Sequence, residues 1–323
     1  MIRSTSDLRP GQILDDRFEI LALVSEGAWS AVFKARDRST AQVVAVKVPP
    51  RHLGGIQYLR EAEIGRQLDH PSILRFIPVA ECARSRPYLV TEYLEGRSLY
   101  EEMQRRGPLP VAETLRLGAA VCDALEYLHG HRIIHCDLKP GNIMLCADGS
   151  LRIIDFGVAR WTAPGLGPFG GFLAHVGTPE YMAPEQVKGK RGDARTDLYA
   201  LGAILYEMLT GRQPFDNELE RHRWRARVVG DPVAPSRYDS SLPAEIEEIV
   251  LHALARRPSD RYASATAMKA DLQMPGRVSV TGRAQRLRPP SPARLWLPIA
   301  GLVLFSLLVP VALFFVFLMF LRR

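Results

Sequence analysis

The stretch that decides the fold is residues 135–142, which read HCDLKPGN. It places a carboxylate, an ammonium group and an amide at fixed offsets in one short segment. These groups suit phosphoryl transfer, because a carboxylate can orient an acceptor hydroxyl and take its proton, while positive charge steadies the moving phosphoryl group. A metal ion between phosphates needs hard oxygen ligands. Asp137, Lys139 and Asn142 fit these three roles in that order.

A second acidic stretch, residues 155–157 with the sequence DFG, begins thirteen residues after Asn142. The run 151–154 before it is typical of a strand, so the carboxylate of Asp155 is predicted where a strand meets a loop. Either stretch alone is also typical of an ordinary turn with a capping aspartate. Together, in this order and at this spacing, they resemble the catalytic loop and the metal-binding turn of protein kinases.

Length and composition indicate a folded chain. The 323 residues are 47% hydrophobic, which is enough for one large or two modest domains and argues against a disordered protein. The cysteines form no Cys-x-x-Cys pair and have no metal-ligand spacing with histidine. We therefore expect reduced thiols in a cytosolic domain at Cys82, Cys122, Cys136 and Cys146.

The net charge of +7 is located in the C-terminal tail. Residues 274–294 carry five arginines and no acidic residue, and two more arginines stand at 322–323. Residues 1–273 are therefore neutral overall, and the basic residues flank a long apolar run. This distribution argues against a nucleic-acid-binding body, so we expect no nucleic-acid partner.

The N-terminal part of the chain predicts a small β-rich lobe. Residues 1–17 are polar and contain no signal-peptide pattern, which argues against export of this part. Short β-branched runs follow at 18–24, 31–35 and 43–48, which indicate a meander of antiparallel strands.

The turn between the first two strands, residues 24–32, is the candidate phosphate-binding turn. Protein kinases carry three glycines there, which let backbone amides approach the nucleotide phosphates. Only Gly27 is kept here, with serines at the other two positions and Trp29 as a candidate aromatic lid; a plain hairpin explains the turn equally well. The resemblance implies that the nucleotide contacts Ser25, Gly27, Val32 and Ala45.

Lys47 ends an alternating strand pattern that points its side chain away from the core-facing valines. An ordinary exposed strand lysine is the alternative. A helical pattern follows at 56–68 and contains Glu61 and Glu63. In the kinase family a helix glutamate pairs with the strand lysine and fixes it on the nucleotide phosphates. Counting back from the His-Pro turn at 70–71 selects Glu61 as that partner.

Residues 88–94 read as a strand that runs into a linker, like the connection between the two kinase lobes. By that resemblance, Glu92 to Leu94 offer backbone groups to adenine, and Thr91 occupies the gatekeeper position. Beyond the linker, apolar residues at steps of three and four predict an amphipathic helix that leads to the loop at 135; they are Leu115, Ala119, Cys122, Leu125 and Leu128.

Residues 177–185, which read GTPEYMAPE, resemble the end of a kinase activation segment in its serine/threonine form. The resemblance implies that Thr178 lies near Asp137 and Lys139, and that Glu185 pairs with an arginine late in the domain, for which Arg261 is the candidate. Asp197 is expected to open a helix that braces the catalytic loop. That helix should end at the glycine of LTGRQPF, residues 209–215, a phrase typical of bacterial serine/threonine kinases.

Two departures from the family pattern concern regulation. Cys136 stands where kinases that are switched on by loop phosphorylation carry an arginine, which pairs with the phosphate. Between residues 158 and 177, Thr162 is the only hydroxyl side chain. Our hypothesis is that activity does not depend on phosphorylation of this loop. For Cys136, an inert thiol is the alternative to a redox role.

The tail predicts a membrane anchor. Prolines among the arginines of 274–294 predict an extended spacer, and residues 295–321 contain no charge. A bilayer core needs only about 20 helical residues, so this run is long enough to span it; a buried helix of the soluble core is the alternative. More arginines precede the run than follow it, which places the preceding domain in the cytoplasm. The arginines could also contact anionic lipid.

These observations predict an α+β, bilobal protein-kinase fold with one C-terminal transmembrane helix. The expected kinase domain is residues 1–273, with an N-lobe at about 12–91, a hinge at 92–96 and a C-lobe at 97–273, and the resemblance covers 12–273. The expected function is a tail-anchored serine/threonine kinase that uses ATP with Mg²⁺ or Mn²⁺ on protein substrates. Asn142 and Asp155 would hold the metal. The resemblance leaves room for dimerisation through either the kinase domain or the membrane helix.

Two other functions remain open from the sequence. One is a membrane-anchored pseudokinase that binds nucleotide or a partner without turnover, for which Ser25, Ser30 and Cys136 speak. The other is a small-molecule kinase on a related fold, which the segment 177–185 argues against, because in protein kinases that segment shapes a platform for a protein substrate.

Overall fold

A β-sheet lobe and a larger helical lobe build the chain, as the sequence predicts. The computed structural model describes residues 8–27, 30–49, 56–78, 87–162, 178–215, 226–228, 230–288, 301 and 304–310. Each lobe has its own cluster of buried apolar side chains.

The N-lobe is a five-stranded antiparallel sheet in which sequential strands are neighbours. Alternating apolar residues form these strands because one face packs on the lobe's core while the other faces outwards. The predicted strands are confirmed within three residues at their ends. They are β2 (Phe18–Glu26), β3 (Ala31–Asp37), β4 (Val43–Val48) and β5 (Leu89–Glu92), whereas β1 (Ile13–Leu14) was not predicted.

Helix α1 (Ile56–Gly65) connects the two lobes. It is shorter than the predicted helix 56–68, and it ends at a glycine. Ile64 in its last turn, and Leu68 just beyond it, belong to the apolar core of the larger lobe. The position of α1 is therefore tied to packing in the C-lobe.

The C-lobe is built around two long helices, α3 (Val111–Gly130) and α5 (Ala194–Thr210). They pack on each other, and in addition α5 packs on α6 (Ala244–Ala253) and α3 packs on α7 (Ala265–Gln273). Two shorter helices, α2 (Leu99–Arg106) and α4 (Pro184–Val187), complete this part.

The ends of these helices follow local sequence rules. Helix α2 begins with a capping box, in which the Ser98 hydroxyl accepts from the Glu101 N–H and the Glu101 carboxylate accepts from the Ser98 N–H. Helix α5 is capped by Asp193 and ends at Gly211, whose φ of 68° lies in the left-handed region that favours glycine. The predicted helix end at Gly211 is confirmed.

Short strands position the two motif stretches. β7 (Ile133–Ile134) and β8 (Ile143–Cys146) flank residues 135–142, and β9 (Leu151–Ile153) precedes Asp155. β8 lies between β6 (Gly96–Ser98) and β9, while β7 pairs with β10 (Arg160–Trp161). Both motif stretches therefore leave strands that are fixed in the C-lobe.

Residues 274–288 differ from the predicted extended spacer, because they are docked on the C-lobe. They contain a 3₁₀ turn (Pro275–Arg277) and helix α8 (Arg283–Arg286), and Val278 packs on the apolar core. The Thr281 hydroxyl donates to Glu248 at 2.5 Å. The prediction of a spacer was wrong for this part because composition does not reveal acceptors such as Glu248 on a distant helix.

The predicted transmembrane run 295–321 lies mostly outside the described residues. Within the ranges that the structure describes, none of the helices combines the length and the apolar character needed to cross a bilayer. Residues 304–310 are helical, and four large apolar side chains of this piece are more than half exposed: Leu304, Phe305, Leu307 and Leu308.

Candidate active site

Lys47 lies on a surface of the N-lobe sheet that the predicted nucleotide residues share. Side chains directly opposite each other on neighbouring strands lie on the same face. Val32 is opposite Lys47, and Ala45 is opposite Thr91. The other face is covered by buried valines of the same strand, Val44, Val46 and Val48. The predicted orientation of Lys47 is confirmed.

The predicted phosphate-binding turn lies at the end of this surface. Ser25 is opposite Val32, and the Gly27 N–H donates to the Ser30 carbonyl oxygen at 2.9 Å. Among the described residues, a Cβ added at Gly27 would meet only that oxygen, at 3.8 Å, so these residues leave room for an approaching group at Gly27. Trp29, the candidate lid, lies outside the described residues. Contact of this turn with a nucleotide stays a prediction.

Lys47 joins the two lobes through two carboxylates. Its ammonium group lies 2.7 Å and 2.9 Å from the two Glu61 oxygens and 2.8 Å from Asp155 Oδ1. The predicted pairing with Glu61 is confirmed, whereas Glu63 contacts Gln67 on the exposed side of α1. Burial lowers the pKa of Lys47, but the two carboxylates outweigh it and hold that pKa above its ordinary value. Lys47 is therefore a fixed positive charge at neutral pH.

Asp155 is held in an unusual backbone conformation that turns it towards Lys47. Its φ of 66° lies in the left-handed region, which costs a residue other than glycine roughly 1 kcal/mol or more. Burial raises the pKa of Asp155, but the Lys47 ammonium group outweighs this and the pKa lies below its ordinary value. Asp155 therefore carries a negative charge at neutral pH.

Phe156 anchors this turn in the C-lobe core. Its ring is 1% exposed, and its centroid lies 6.3 Å from that of Phe76 and 5.2 Å from that of His135. His135 also accepts the Asp137 N–H at Nδ1, over 3.3 Å. One group of packed aromatic rings, Phe76, Phe156 and His135, thus connects the turn at Asp155 to the loop that carries Asp137.

The predicted catalytic residues converge on one carboxylate. Asp137 Oδ2 lies 2.8 Å from the Lys139 ammonium group, and Asp137 Oδ1 accepts the Thr178 N–H at 2.6 Å. Lys139 also donates to the Thr178 hydroxyl at 2.7 Å. The Asn142 amide nitrogen donates to the Asp137 carbonyl oxygen at 2.9 Å. The predicted position of Thr178 beside Asp137 and Lys139 is confirmed.

Asp197 braces the catalytic loop from inside the C-lobe, as predicted. Its fully buried carboxylate accepts the N–H groups of His135 and Cys136, each at 2.9 Å, and contacts His129 Nε2 at 2.9 Å. Burial raises the pKa of Asp197, but these hydrogen bonds and the neighbouring histidines outweigh it, so the pKa lies below its ordinary value. The charged form of Asp197 therefore fixes the loop backbone.

Cys136 is held by contacts that require no arginine. Its φ is 66°, and its carbonyl oxygen accepts from the Gln186 amide nitrogen at 2.8 Å. The Gln186 amide oxygen accepts the Ala183 N–H at 2.9 Å, so Gln186 is itself fixed at the start of α4. Burial and the nearby Asp197 carboxylate raise the pKa of Cys136 to about 12. This favours the inert thiol over a redox role.

The segment that ends at α4 is held by two buried arginines. Arg261 binds both Glu185 oxygens, at 2.7 Å and 2.8 Å, which confirms that predicted pair. Arg227, which is 2% exposed, donates to the carbonyl oxygens of Pro179 and Glu180. These contacts fix the segment 179–185 beside Thr178.

The sequence analysis missed Arg227 and Gln186. Gln186 directly follows the Pro-Glu pair 184–185, and this pair is a signal for the start of a helix. The sequence does not show that the Gln186 side chain reaches the Cys136 carbonyl oxygen. The burial of Arg227 could not be predicted, because its neighbours in the sequence do not distinguish it from an exposed arginine.

The linker between the lobes offers backbone groups near Thr91. The Glu92 N–H donates to the Arg75 carbonyl oxygen at 3.0 Å, and the Thr91 hydroxyl donates to the Glu92 carbonyl oxygen at 3.2 Å. In the part of the chain that the structure describes, no hydrogen bond uses the Leu94 backbone. Contact of Glu92 to Leu94 with adenine stays a prediction.

Comparison with known families agrees with this geometry, since the protein kinase domain family matches residues 18–272. The chain belongs to the protein kinase family. The match begins at β2 and ends one residue before the end of α7, so it includes both lobes and every site residue described above.

Curated relatives are bacterial serine/threonine kinases. The chain is 36% identical over 300 residues to the probable serine/threonine-protein kinase CE0033 of Corynebacterium efficiens, covering 88% of this chain and 46% of that protein. It is 37% identical over 269 residues to the serine/threonine-protein kinase PknB of Mycolicibacterium smegmatis, covering 81% of this chain and 43% of the relative. The chain thus spans less than half the length of these relatives.

Proposed function

We propose that this kinase transfers the γ-phosphoryl group of ATP to serine or threonine hydroxyls of proteins. The observation that carries the proposal is that two sets of ion-paired side chains are present in the same structure. Lys47, Glu61 and Asp155 form one, and Asp137 with Lys139 forms the other. The names of the relatives support the serine/threonine class.

The residues present fit a divalent cation bound together with phosphates. Asp155 supplies a charged carboxylate, and all described side-chain contacts of Asn142 run through its nitrogen, which leaves its amide oxygen as a ligand. Two protein oxygens are fewer than the six ligands that Mg²⁺ requires, so phosphate oxygens and water would complete the set. When bound, such a cation would neutralise charge that develops on the phosphates. Mn²⁺ fits the same donors.

The roles of the remaining side chains follow from their contacts. Asp137 accepts the proton of an incoming hydroxyl and orients it, since it is a carboxylate fixed by the Thr178 N–H. Lys139 lies between Asp137 and Thr178 and offsets negative charge at the transfer site. Lys47 holds phosphate oxygens on the side of the N-lobe.

The loop that carries Asp137 is braced without a phosphate group. Asp197 binds the backbone N–H groups at 135 and 136, and Gln186 binds the carbonyl at 136. This supports the hypothesis that activity does not depend on phosphorylation of the loop that contains Thr162.

Phosphoryl transfer is tested with the full chain, γ-labelled Mg-ATP and a generic basic protein. We expect labelled substrate with the wild type, and a rate lower by roughly 10²- to 10⁴-fold with Asp137→Asn, because the general base is lost. Equal labelling by both proteins would favour the alternative function, a pseudokinase that acts as a binding scaffold.

We also propose that residues 295–321 anchor the chain in a membrane, with the kinase domain on the cytoplasmic side. The run has no charged residue, and its described helical piece exposes large apolar side chains, which a protein in water would cover. The full chain should float with phosphatidylcholine vesicles after alkaline extraction, whereas a chain ending at Arg288 should not. Recovery of the full chain in the soluble fraction would contradict the anchor.

A further inference from the structure

A basic cavity lies on the C-lobe, and none of the residues predicted to contact nucleotide lines it. Its volume is about 560 Å³, and it opens between the segment that joins α4 to α5 and the turn after α6. This volume is within the usual range for small-molecule sites. Five cationic side chains line it: Lys188, Lys190, Arg191, Arg256 and Arg257.

The carboxylates in the cavity wall do not balance these charges. Glu185 is bound by Arg261 and by the Thr196 hydroxyl. Asp193 caps α5 by accepting the Arg195 N–H at 2.8 Å. Arg256 is paired with Asp231. Among the described residues, no ion pair or side-chain hydrogen bond involves the side chains of the four remaining cations, which are exposed: Lys188, Lys190, Arg191 and Arg257. The cavity therefore carries net positive charge towards solvent, which suits an anionic ligand.

The docked tail leaves the C-lobe beside this cavity. Arg256 in the cavity wall binds Asp231 at 2.6 Å, and the same carboxylate accepts the Arg288 N–H at 3.0 Å. Residue 295, where the uncharged run begins, is seven residues further along the chain. Seven residues reach at most about 25 Å when fully extended. An apolar run that enters a bilayer thus keeps the cavity near its surface.

We infer that this cavity binds the phosphate of an anionic phospholipid headgroup and so orients the kinase domain on the membrane. The inference rests on the membrane anchor proposed above. Arginine binds phosphate through a fork of N–H groups, and lysine contributes a compact charge. The anchor holds the cavity close to many headgroups, which raises their effective concentration far above that of a free phosphate.

The test uses the full chain in nanodiscs of phosphatidylcholine alone and of phosphatidylcholine with 30% phosphatidylglycerol. Hydrogen–deuterium exchange is followed at residues 188–191 and 256–258. We expect exchange there to slow by roughly tenfold only in the discs that contain phosphatidylglycerol. The protection should disappear in the triple variant Lys190→Glu, Arg191→Glu, Arg257→Glu. It should persist in a control of equal charge change outside the cavity: Arg36→Glu, Arg38→Glu, Arg97→Glu.

Several outcomes would overturn the inference. Equal protection in both kinds of disc, or loss of protection in both triple variants, would show that the cavity does not bind the anionic headgroup specifically. Protection by inorganic phosphate or by a phosphoserine peptide, without protection by phosphatidylglycerol, would assign the cavity to a soluble ligand. Thermal unfolding of both triple variants shows whether either has lost its fold; a cavity variant that unfolds is replaced by Lys190→Gln, Arg191→Gln.

The failures of the related proposals are distinguishable. A chain that inserts into neither disc overturns the anchor and this inference together. A chain that inserts but shows no protection at the cavity overturns only the headgroup site. Phosphoryl transfer is read separately, from the labelling of the basic protein by wild type and Asp137→Asn.

Discussion

The two halves of the active site are held by different kinds of contact. On the acceptor side, buried groups of the C-lobe bind the backbone of residues 135–142. Asp197 takes two N–H groups of this loop, and Gln186 donates to one of its carbonyl oxygens. Every one of these contacts lies within a single lobe, so the position of Asp137 is part of the C-lobe fold.

On the phosphate side, the contacts join side chains from different elements. Lys47 comes from β4, Glu61 from α1 and Asp155 from the turn after β9. A shift of α1 would separate this group while leaving the loop at 135–142 intact. The difference teaches that the two sides should respond differently to substitutions, because only the phosphate side depends on side chains from three separate elements: β4, α1 and the turn after β9.

The largest effect should come from breaking the brace of the catalytic loop. Asp197→Asn places an amide N–H₂ among buried N–H donors and removes a buried charge. We expect a loss of about 3 kcal/mol in the free energy of unfolding. Denaturant unfolding measures the loss, and Asp148→Asn, in an exposed turn, should change stability little. A loss below about 0.5 kcal/mol for Asp197→Asn would contradict the brace.

The same carboxylate predicts a dependence of stability on pH. Because folding lowers the pKa of Asp197, its stabilisation is present above the unfolded value of about 4 and is lost as pH falls towards the folded value. The wild type should lose more stability than Asp197→Asn between pH 6 and about pH 3. Parallel curves for the two proteins would count against this assignment.

The next effect tests the phosphate side alone. Glu61→Gln removes the charge that positions Lys47, and a misplaced phosphate-binding group can cost roughly 100-fold in rate. We expect turnover to fall by about that factor. Glu63→Gln is the matched control on the same helix and should retain wild-type turnover, because Glu63 contacts only Gln67 among the described residues. Equal rates for the two variants would show that Glu61 does not position Lys47.

A smaller effect should come from the contact between the end of α1 and the Phe76 ring. A Cβ added at Gly65 would overlap the ring of Phe76, which packs on Phe156. Gly65→Ala should therefore cost about 1–3 kcal/mol of stability and lower turnover. Gly130→Ala is the control, since a Cβ there meets none of the described atoms within 4 Å and a helical alanine is favourable. A Gly65→Ala variant as stable as this control would show that the fit at Phe76 is loose.

The smallest effect is expected at Thr162. Its hydroxyl donates to the Arg132 carbonyl oxygen at 2.9 Å on the exposed surface. Thr162→Ala loses this hydrogen bond, worth about 1 kcal/mol at most. Steady-state turnover should stay within about twofold of the wild type. A collapse of turnover would mean that this threonine is the phosphorylation site on which activity depends.

Much of the site could be predicted from the sequence because its residues belong to spaced motifs. The pairs Lys47–Glu61 and Glu185–Arg261 were both predicted and are both formed. The resemblance to protein kinases implied both pairs, and in each pair the two charges offset each other. The helix end at Gly211 was predictable for a local reason, since it needs a left-handed residue.

The parts that escaped prediction depend on tertiary partners without a local signature. Arg227 is buried, and it donates to the carbonyl groups of Pro179 and Glu180, which lie far from it in the sequence. Residues 274–288 have the composition of a linker, yet Glu248 supplies an acceptor that docks them. Composition indicates whether a segment can fold alone. It does not indicate whether a distant helix supplies hydrogen-bond acceptors for that segment.

The account's central claim is that Asp197 and Gln186 hold the catalytic loop without a phosphate group. The most direct test is the initial rate of substrate labelling by unphosphorylated protein. The full chain is produced with a phosphatase, its mass is checked for the absence of phosphate, and substrate labelling is followed from the first turnovers. We predict a linear time course with the same slope as chain that was first incubated with Mg-ATP. A lag that shortens as Thr162 becomes phosphorylated would contradict the account.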